Sequence, residues 1–267
     1  MGLPAESDEA DAILIFGGDG TVHRHLPQLV KLQLPVLVVP TGSGNDFARA
    51  LRLRRVRDSL SAWHKFSGGG KNVRGIDLGL ITPLIADGNA GESPAPHEHL
   101  FCCVAGIGLD AEIARRGNSL PRWLRAHGGY AFSLLPALLK FAPLAAGVSR
   151  ISTEAFDSAH GRRIMVAAFA NAPTYGGGMK IAPHAKLDDG RLDVCIVQNM
   201  NKLELFCLFP TIYFGRHLSI PQVEYFQTER LRVETDHPTD VYADGEYVCR
   251  TPIKVNVVRK ALRVIVP

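Results

Sequence analysis

A glycine-rich turn near the start of the chain combines residue types that handle phosphate groups. Gly17, Gly18 and Gly20 surround Asp19, and Thr21 follows directly. Glycines let the backbone approach a phosphate closely, and the amides and dipole at a helix start favour an anion. Asp19 can hold magnesium directly or through water, and Thr21 can bond a phosphate oxygen. An ordinary tight turn is the alternative, but three glycines around one carboxylate exceed what a turn requires.

A second loop of the same kind occupies residues 40–46, Pro-Thr-Gly-Ser-Gly-Asn-Asp. Two such loops at the same end of neighbouring parallel strands would converge on the crevice where open α/β sheets bind ligands. Taken alone, the second loop is explained equally well as a helix cap formed by Ser43 or Asn45. Neither loop has the dinucleotide G-x-G-x-x-G or the Walker G-x-x-x-x-G-K-[ST] spacing, so those two site types are excluded.

Several other polar segments have both a functional and a structural interpretation. Residues 188–190 (Asp-Asp-Gly) and 244–246 (Asp-Gly-Glu) have the composition of turns. Residues 175–180, Tyr-Gly-Gly-Gly-Met-Lys, can line a cleft with backbone and one cation, or form a flexible loop. His23 and His25 have no third ligand at metal-binding spacing, so we expect both on the surface.

Two further segments concern lipid contact. A basic run is either a solvated face or a docking patch for anionic lipid; its residues are Arg52, Arg54, Arg55 and Arg57. Apolar residues between Tyr130 and Phe141 form buried core or, alternatively, contact acyl chains or a membrane. Pro136, Lys140 and Pro143 interrupt this stretch, so we do not expect a membrane-spanning helix there.

The elements that must position these loops alternate between strand and helix in the first part of the chain. Residues 12–16 and 35–39 are apolar runs typical of strands buried on both faces, and helical spacing follows each. Beyond about residue 70, short strands with alternating apolar residues are separated by turns. The pattern predicts a small α/β domain at residues 1–70 and an all-β, sandwich-like domain at residues 71–267, with the C-terminal segment a candidate to return to the first domain.

Length and composition exclude several classes of protein. The 267 residues are 46% hydrophobic and 21% charged, which excludes intrinsic disorder and allows one or two domains. A net charge of +4 is too small to indicate nucleic-acid binding but suits approach to an anionic surface. Five cysteines without a CxxC pair favour a reduced, cytosolic setting, and no signal-peptide pattern is visible.

The order of the motifs resembles that of a known enzyme family. GGDGT and PTGSGNDFAR look like the catalytic domain shared by diacylglycerol, sphingosine and ceramide kinases, especially the bacterial soluble lipid kinase branch. The resemblance continues through AGIGLDAE, YGGGMKIAP, KLDDGRLD and ADGE, in the family's order. GGDGT alone is shared with NAD kinases and phosphofructokinase relatives, whereas its combination with GGGMKIAP, LDDG and DGE is more specific to lipid kinases.

This resemblance implies an ATP- and Mg²⁺-dependent phosphotransferase acting on the hydroxyl of diacylglycerol or a related lipid, in a cleft between the α/β domain and the β-sandwich. Matched residue by residue, Asp244 would be the general base that receives the hydroxyl proton. Asp188 and Asp189 match a region that binds a structural magnesium in similar proteins. The residues matched to nucleotide binding are Gly17, Gly18, Asp19, Gly20, Thr21, Thr41, Gly42, Ser43, Asn45, Asp46 and Glu246.

Two alternatives stay open. A sphingoid or other lipid, or NAD, could be the acceptor, and the LDDG and DGE elements favour a lipid. The second alternative is a catalytically silent homologue that binds a lipid or a nucleotide. It is motivated by the start of the chain: similar proteins have a further strand–helix–strand before GGDGT, whereas only fifteen residues precede Phe16 here. Two parallel strands make a poor sheet alone, so either the start is recorded too late or the domain leans on its partner domain or another subunit.

The resemblance also sets expectations about partners and location. We expect a diacylglycerol-like lipid substrate, transient contact with a membrane surface and no nucleic-acid partner. A homodimer is a further alternative. The expected location is cytoplasmic, with peripheral visits to the inner membrane face.

Overall fold

The computed structural model describes residues 2–84, 97–119, 136–151 and 161–267. The helices are α1 (Asp19–Leu32), α2 (Asp46–Ala50), α3 (Val56–Ser67), α4 (Leu109–Ser119) and α5 (Lys202–Leu208), with 3-10 helices at Ser7–Glu9, Phe209–Phe214 and Arg216–Ser219. The strands are β1 (Ile13–Gly17), β2 (Val36–Pro40), β3 (Val73–Pro83), β4 (His99–Phe101), β5 (Val104–Gly108), β6 (Leu144–Arg150), β7 (Arg162–Ala170), β8 (Leu192–Gln198), β9 (Val223–Thr228), β10 (Arg230–Thr235), β11 (Asp240–Ala243), β12 (Glu246–Arg250) and β13 (Ile253–Ile265).

The first part of the chain is a small α/β unit. β1 and β2 pair in parallel, from Ile13 opposite Val36 to Gly17 opposite Pro40. Both strands therefore end at the same edge, where the two glycine-rich loops begin. Apolar residues at helical spacing bury one face of α1 against this unit; they are Val22, Leu26, Leu29 and Leu32.

The remainder is dominated by antiparallel strands, as the alternating pattern predicts. From β10 the strands follow the order β10-β6-β7-β5-β11-β12, with β8 and β9 added beside β7. A separate apolar core fills this part, with Phe101 and Phe169 among its fully buried side chains. The predicted fold class, a small α/β domain followed by a large β-domain, is confirmed.

The last strand crosses from one part to the other. The first half of β13 pairs with β10 and with the far end of β3, whereas Val264 pairs in parallel with Val36 of β2. The register of the β13–β3 ladder shifts between Val258 and Leu262, and Lys260 there has a φ of +51°. The C-terminal strand thus supplies the neighbour that extends the two-stranded parallel sheet of the first domain.

Helical segments interrupt the β-domain. α5 and the 3-10 helix after it occupy residues 202–214. Residues 136–140 are also helical. The rest of the apolar stretch, residues 130–135, lies outside the described part of the chain. No helix of the described part is long and apolar enough to cross a bilayer.

Candidate functional site

The two glycine-rich loops lie directly against each other. A Cβ atom on Gly42 would be 2.5 Å from the Cα of Gly18, and one on Gly18 would be 2.4 Å from the carbonyl oxygen of Gly44. Any side chain at these positions would push the loops apart, so the contact requires glycine. The amide of Asp19 adds a hydrogen bond of 3.2 Å to the carbonyl of Gly44. The structure thus brings together the loops that the sequence predicts to converge.

The second loop is shaped by its own asparagine. Asn45 bonds to the amide and the carbonyl of Gly42, at 3.2 Å through Oδ1 and 2.7 Å through Nδ2. Although Asn45 is the N-cap residue of α2, its side chain does not cap that helix. Thr41 and Ser43 are exposed, and the amide of Thr41 donates to Gly17 at 3.2 Å. The side chain of Asn45 therefore serves the loop and not the helix.

Asp19 is the first residue of α1 and ties the two loops together. Its Oδ2 accepts from the amide of Asp46 at 3.0 Å and its Oδ1 from the amide of Phe47 at 2.9 Å. Burial raises the pKa of Asp19 from its ordinary 3.8 to about 6, with the charges of Asp46 and Asp244 adding to the effect and the amide bonds opposing it. Negative charge is thus concentrated beside the start of α1.

Asp46 connects the second loop to the glycine-rich segment at residues 175–180. Its buried carboxylate forms an ion pair with Arg49 and accepts from the amide of Gly177 at 2.7 Å. The segment closes on itself through the amide of Met179, which donates to Tyr175 at 3.0 Å. This segment therefore lines the candidate site with its backbone.

Asp244 occupies a two-residue hairpin turn between β11 and β12. Its φ of +52° and the +87° of Gly245 are the left-handed values that such a turn requires. The turn aims the Asp244 carboxylate at a run of backbone amides, which donate at 2.8, 2.8 and 3.3 Å from Cys102, Cys103 and Val104. Residues 244–246 thus form a hairpin turn and also place Asp244 in the candidate site, so the structural and the functional interpretation of this segment are compatible.

His23 is a site residue that the sequence interpretation missed. Its Nδ1 lies 3.1 Å from Oδ2 of Asp244, so the expected surface position is wrong for His23. Burial acts to lower the pKa of His23, but the hydrogen bond and charge of Asp244, with the charge of Glu246, outweigh it and raise the pKa above 6.5. The available signal was its position four residues after Asp19, on the same face of α1.

Glu246 and Thr21 complete the first loop's surroundings. A Cβ on Gly20 would lie 3.1 Å from Oε1 of Glu246, so β12 reaches the start of α1. A Cβ on Gly17 would lie 2.5 Å from Oγ1 of Thr21, which therefore packs back on its own loop. Glu246 and the GGDGT loop share one cleft.

The structure does not bring Asp188 and Asp189 to this cleft. Asp188 forms an ion pair with Arg74, and Asp189 accepts from the amide of Arg191 at 3.1 Å. Asp189 lines a separate open pocket with Asp193, whose pKa is raised chiefly by burial and also by the charge of Asp189. In the described ranges neither residue joins two others in a compact metal-binding group, and their metal role stays a prediction.

Cys102, Cys103 and Asp244 bring potential metal-binding atoms within 4.8 Å of one another. Burial raises the pKa of Cys102 to about 12, and the pKa of Cys103 lies well above 9 because of its hydrogen bond to Cys102 and its burial. Since the thiolate is the metal ligand and the nucleophile, both thiols are inert at neutral pH. They pack the cleft floor.

An oxygen-rich cleft of this kind fits magnesium. Mg²⁺ prefers oxygen ligands, and Asp46 and Asp244 are carboxylates close enough for their charges to add to the effect of burial in raising the pKa of Asp19. A cation beside Asp19 would neutralise that excess. The donor set at Asp19 therefore fits the ion.

An apolar cavity lies on the other side of residues 175–180. Its carbon-rich lining includes Leu109, Ile113, Val166, Leu205, Phe209 and Ile212. Asp110, Tyr175 and His217 supply the polar atoms. Burial raises the pKa of Asp110 from 3.8 to about 6, against a hydrogen bond from Tyr175 that lowers it. Tyr175 therefore links this cavity to the segment that contacts Asp46.

Comparisons with known protein families match both parts of the fold. Residues 3–81 match the diacylglycerol kinase catalytic domain, and residues 103–266 match the YegS C-terminal NAD kinase beta sandwich-like domain. The chain is 32% identical over 257 residues to a diacylglycerol kinase of Mycobacterium tuberculosis, covering 96% of this chain and 77% of that protein. It is 26% identical over 261 residues to a diacylglycerol kinase of Bacillus subtilis, covering 97% and 78%.

Solved structures share the fold. A crystal structure of a diacylglycerol kinase from Bacillus anthracis superposes with a TM-score of 0.67 at 18% identity, covering 98% of this chain and 78% of that chain. Yeast NADH kinase in complex with NADH gives a TM-score of 0.54 at 11% identity, covering 97% and 62%. The family of the beta sandwich-like domain matches more than half of the residues, and the Mycobacterium tuberculosis kinase is 32% identical to the chain. The chain therefore belongs to the diacylglycerol kinase family of lipid kinases.

Proposed function

We propose that this protein transfers the γ-phosphoryl group of ATP to the hydroxyl of diacylglycerol or a related neutral lipid. The observation that carries the proposal is the meeting of two glycine-rich loops with the Asp244 hairpin, close enough for the Asp244 charge to raise the pKa of Asp19. Phosphoryl transfer needs positioning and charge neutralisation, and a hydroxyl acceptor needs a nearby proton acceptor. This cleft has the residues for both.

The GGDGT side would bind the nucleotide. Amides of Gly18 and Gly20 would face its phosphates at the start of α1, where a helix favours an anion. Asp19 would hold Mg²⁺, which when bound neutralises charge on the transferring phosphoryl group. Thr21 and Glu246 flank that position. The second loop would complete the nucleotide side through Thr41, Gly42, Ser43, Asn45 and Asp46.

The apolar cavity would accept an acyl chain. Its lining is almost entirely carbon, and it adjoins the segment whose Gly177 amide bonds Asp46. A lipid held there would have its hydroxyl directed toward the cleft. Asp244, directly or through the ring of His23, would then receive the hydroxyl proton.

A membrane-facing surface supports the choice of a lipid acceptor. Leu203 and Phe214, on the segment that roofs the apolar cavity, are 70% and 72% exposed. Residues 202–216 also contain two cations, Lys202 and Arg216, and one carboxylate, Glu204. Lys202 donates to the carbonyl of Leu139. Apolar side chains among cations suit an anionic bilayer, from which a diacylglycerol would enter.

The test is a panel of acceptors with radiolabelled ATP and Mg²⁺. Diacylglycerol, sphingosine and NAD would be offered separately, the lipids in mixed vesicles. We expect label in diacylglycerol and its loss in Asp244→Asn. Label in NAD or sphingosine alone would replace the proposed substrate, and no label in any acceptor, with ATP binding intact, would favour the catalytically silent alternative.

A further inference from the structure

The carboxylate of Asp244 has no room for a substrate hydroxyl. Its side chain is 0% exposed. Oδ1 accepts from the amides of Cys103 and Val104 at 2.8 and 3.3 Å, and Oδ2 accepts from the amide of Cys102 at 2.8 Å and from the ring of His23 at 3.1 Å. The thiol of Cys102 also donates to Oδ2, at 3.3 Å. Because a carboxylate offers about four lone-pair positions, these five donors occupy it.

His23 is the partner that a ligand can reach. Its side chain is 15% exposed, in contrast to the enclosed Asp244. An ionised carboxylate only accepts hydrogen bonds, so the bond between the two residues places a proton on Nδ1 of His23. In the neutral ring Nε2 then carries the lone pair and accepts. The pair therefore presents an imidazole nitrogen to the cleft, backed by a buried carboxylate.

We propose that Nε2 of His23, and not the carboxylate of Asp244, takes the proton from the acceptor hydroxyl, and that Asp244 is the positioning residue that fixes the tautomer and orientation of His23. This inference rests on the proposed function. A carboxylate behind an imidazole that activates a hydroxyl is the logic of the Ser-His-Asp arrangement. It extends here to a lipid hydroxyl attacking a phosphorus atom.

The bonds exchanged are as follows. The O–H bond of the lipid breaks and its proton forms an N–H bond at Nε2 of His23. The oxygen electron pair forms a bond to the γ-phosphorus, while the bond from that phosphorus to the bridging oxygen breaks and ADP leaves with the electron pair. The imidazolium then releases its proton to water, which restores the neutral ring.

Charged groups on several elements face His23. Asp244 lies in the β11–β12 turn, Glu246 on β12, His99 on β4, and Asp19 one turn earlier on α1. The carboxylates of Asp244 and Glu246 raise the pKa of His23 although burial opposes them. The pKa of His99 is lowered, mainly by burial and also by the charge of His23. A protonated His23 thus disfavours protonation of His99, and His23 is a stronger base than an ordinary histidine.

Kinetics of three variants test the proposal. We expect His23→Ala to lower kcat for lipid phosphorylation by about 10²–10⁴-fold, to leave ATP affinity close to wild type, and to regain part of the rate when imidazole is added. Wild-type kcat should fall as pH drops through the pKa of His23, and this acidic limb should vanish in the variant. Asp244→Asn should lose rate without rescue by imidazole. His25→Ala, two residues along α1, is the matched control and should keep the wild-type rate.

Two kinetic outcomes would overturn the proposal. A His23→Ala enzyme that keeps the wild-type kcat and its acidic limb, while Asp244→Asn loses activity, would make Asp244 the direct proton acceptor. A loss in His23→Ala that imidazole does not restore, with the pH profile unmoved, would leave His23 a structural role only.

A measurement without activity keeps the two hypotheses separable. In protein labelled with ¹⁵N-histidine, NMR should show the neutral ring of His23 protonated at Nδ1, with a pKa above 6.5 that falls in Asp244→Asn. A neutral ring protonated at Nε2 would overturn the proposal. A wild-type chain that phosphorylates no lipid would instead remove the proposed function, while the NMR result would still decide the His23–Asp244 pairing.

Discussion

At the residue scale, Asp19 and Asp110 are buried acids that keep their protons to a higher pH than ordinary aspartates. Burial is the main cause in both, and raises each pKa to about 6. Their surroundings differ. Asp19 lies among other carboxylates, whereas Asp110 has carbon around it and one hydrogen bond from Tyr175. Asp110 therefore offers the simpler test of the electrostatics.

Asp110 should make stability depend on pH in a defined direction. The pKa of Asp110 is 3.8 in the unfolded chain and about 6 in the folded chain. Between these two pKa values the folded state binds more protons than the unfolded state. The contribution of Asp110 to the free energy of unfolding therefore falls as pH rises and stays lost above about pH 6. We expect the free energy of unfolding of Asp110→Asn, relative to wild type, to improve by roughly 2–3 kcal/mol from pH 4 to pH 7.

Urea unfolding of both proteins across this pH range measures that difference. Other carboxylates titrate equally in the two proteins and cancel, so no further control variant is needed. A difference that stays constant from pH 4 to pH 7 would contradict the assigned pKa of Asp110.

Residue types and spacing predicted the two glycine-rich loops and their convergence, because parallel strands end at the same sheet edge. The same reasoning put His23 on the surface. Its partner Asp244 lies 221 residues away, and no local spacing reports a contact across that distance. Pairings between distant turns depend on the tertiary fold, which is where prediction from the sequence stopped.

At the element scale, the loop-to-loop contact is set by glycine at two positions. A Cβ on Gly42 would meet the backbone of Gly18 at 2.5 Å, and backbone cannot move aside as a flexible side chain does. We expect Gly42→Ala to weaken ATP binding by about tenfold or more and to cost about 1–3 kcal/mol of stability. Calorimetric titration and urea unfolding measure the two effects. Gly2→Ala is the control, since nothing lies within 4 Å of its Cβ position; unchanged ATP affinity in Gly42→Ala would contradict the contact.

The segment from α5 to the following 3-10 helix has apolar residues on two sides. Leu205 and Phe209 line the cavity, whereas Leu203 and Phe214 are exposed. We expect the double variant Leu203→Ser, Phe214→Ser to lower phosphorylation of diacylglycerol in anionic vesicles severalfold, with little effect on a detergent-dispersed short-chain substrate. The reason is that only the vesicle assay needs the outer face to enter a bilayer.

Vesicle co-sedimentation measures that binding directly. Leu60→Ser on α3 is the matched control, because Leu60 is also an exposed leucine, at 54%. Equal losses on vesicles and on dispersed substrate would contradict a membrane role for this face.

At the scale of the whole molecule, the two domains are joined at a buried aspartate. Asp77 of β3 accepts from the amides of Gly190 and Lys260, both at 2.7 Å, and its own amide donates to Leu187 at 2.6 Å. Lys260 lies at the irregularity where β13 passes from the β-domain toward β2. Asp77 thus fixes both the crossing strand and the loop that begins at Leu187.

Removing this carboxylate should weaken the whole fold. Asp77→Ala leaves the buried amide of Gly190 unpaired, at about 1–3 kcal/mol, and also removes the partly buried bond to the amide of Lys260. We therefore expect a loss of about 1–4 kcal/mol in the free energy of unfolding. Asp240→Ala removes only a surface ion pair with Arg250 and should cost less than about 1 kcal/mol. Urea unfolding compares the two. A loss for Asp77→Ala no larger than that of the control would contradict its joining role.

Alternating apolar residues predicted the β-domain, but the sequence left the path of the last strand open. The alternation in β13 breaks between Val257 and Leu262, and the register of its ladder with β3 shifts over the same residues. At that shift the amide of Lys260 donates to Asp77, which lies 183 residues away in the sequence. Strand pairing of this kind is decided by packing between domains.

Transfer of labelled phosphate to a lipid tests whether this protein is a diacylglycerol kinase. The chain would be incubated with [γ-³²P]ATP, Mg²⁺ and diacylglycerol in anionic vesicles, beside Asp19→Asn and Asp244→Asn. We expect labelled phosphatidic acid from the wild type and at least about 10²-fold less from either variant. Undiminished product from both variants, or none from a wild type that binds ATP and vesicles, would contradict the proposed function.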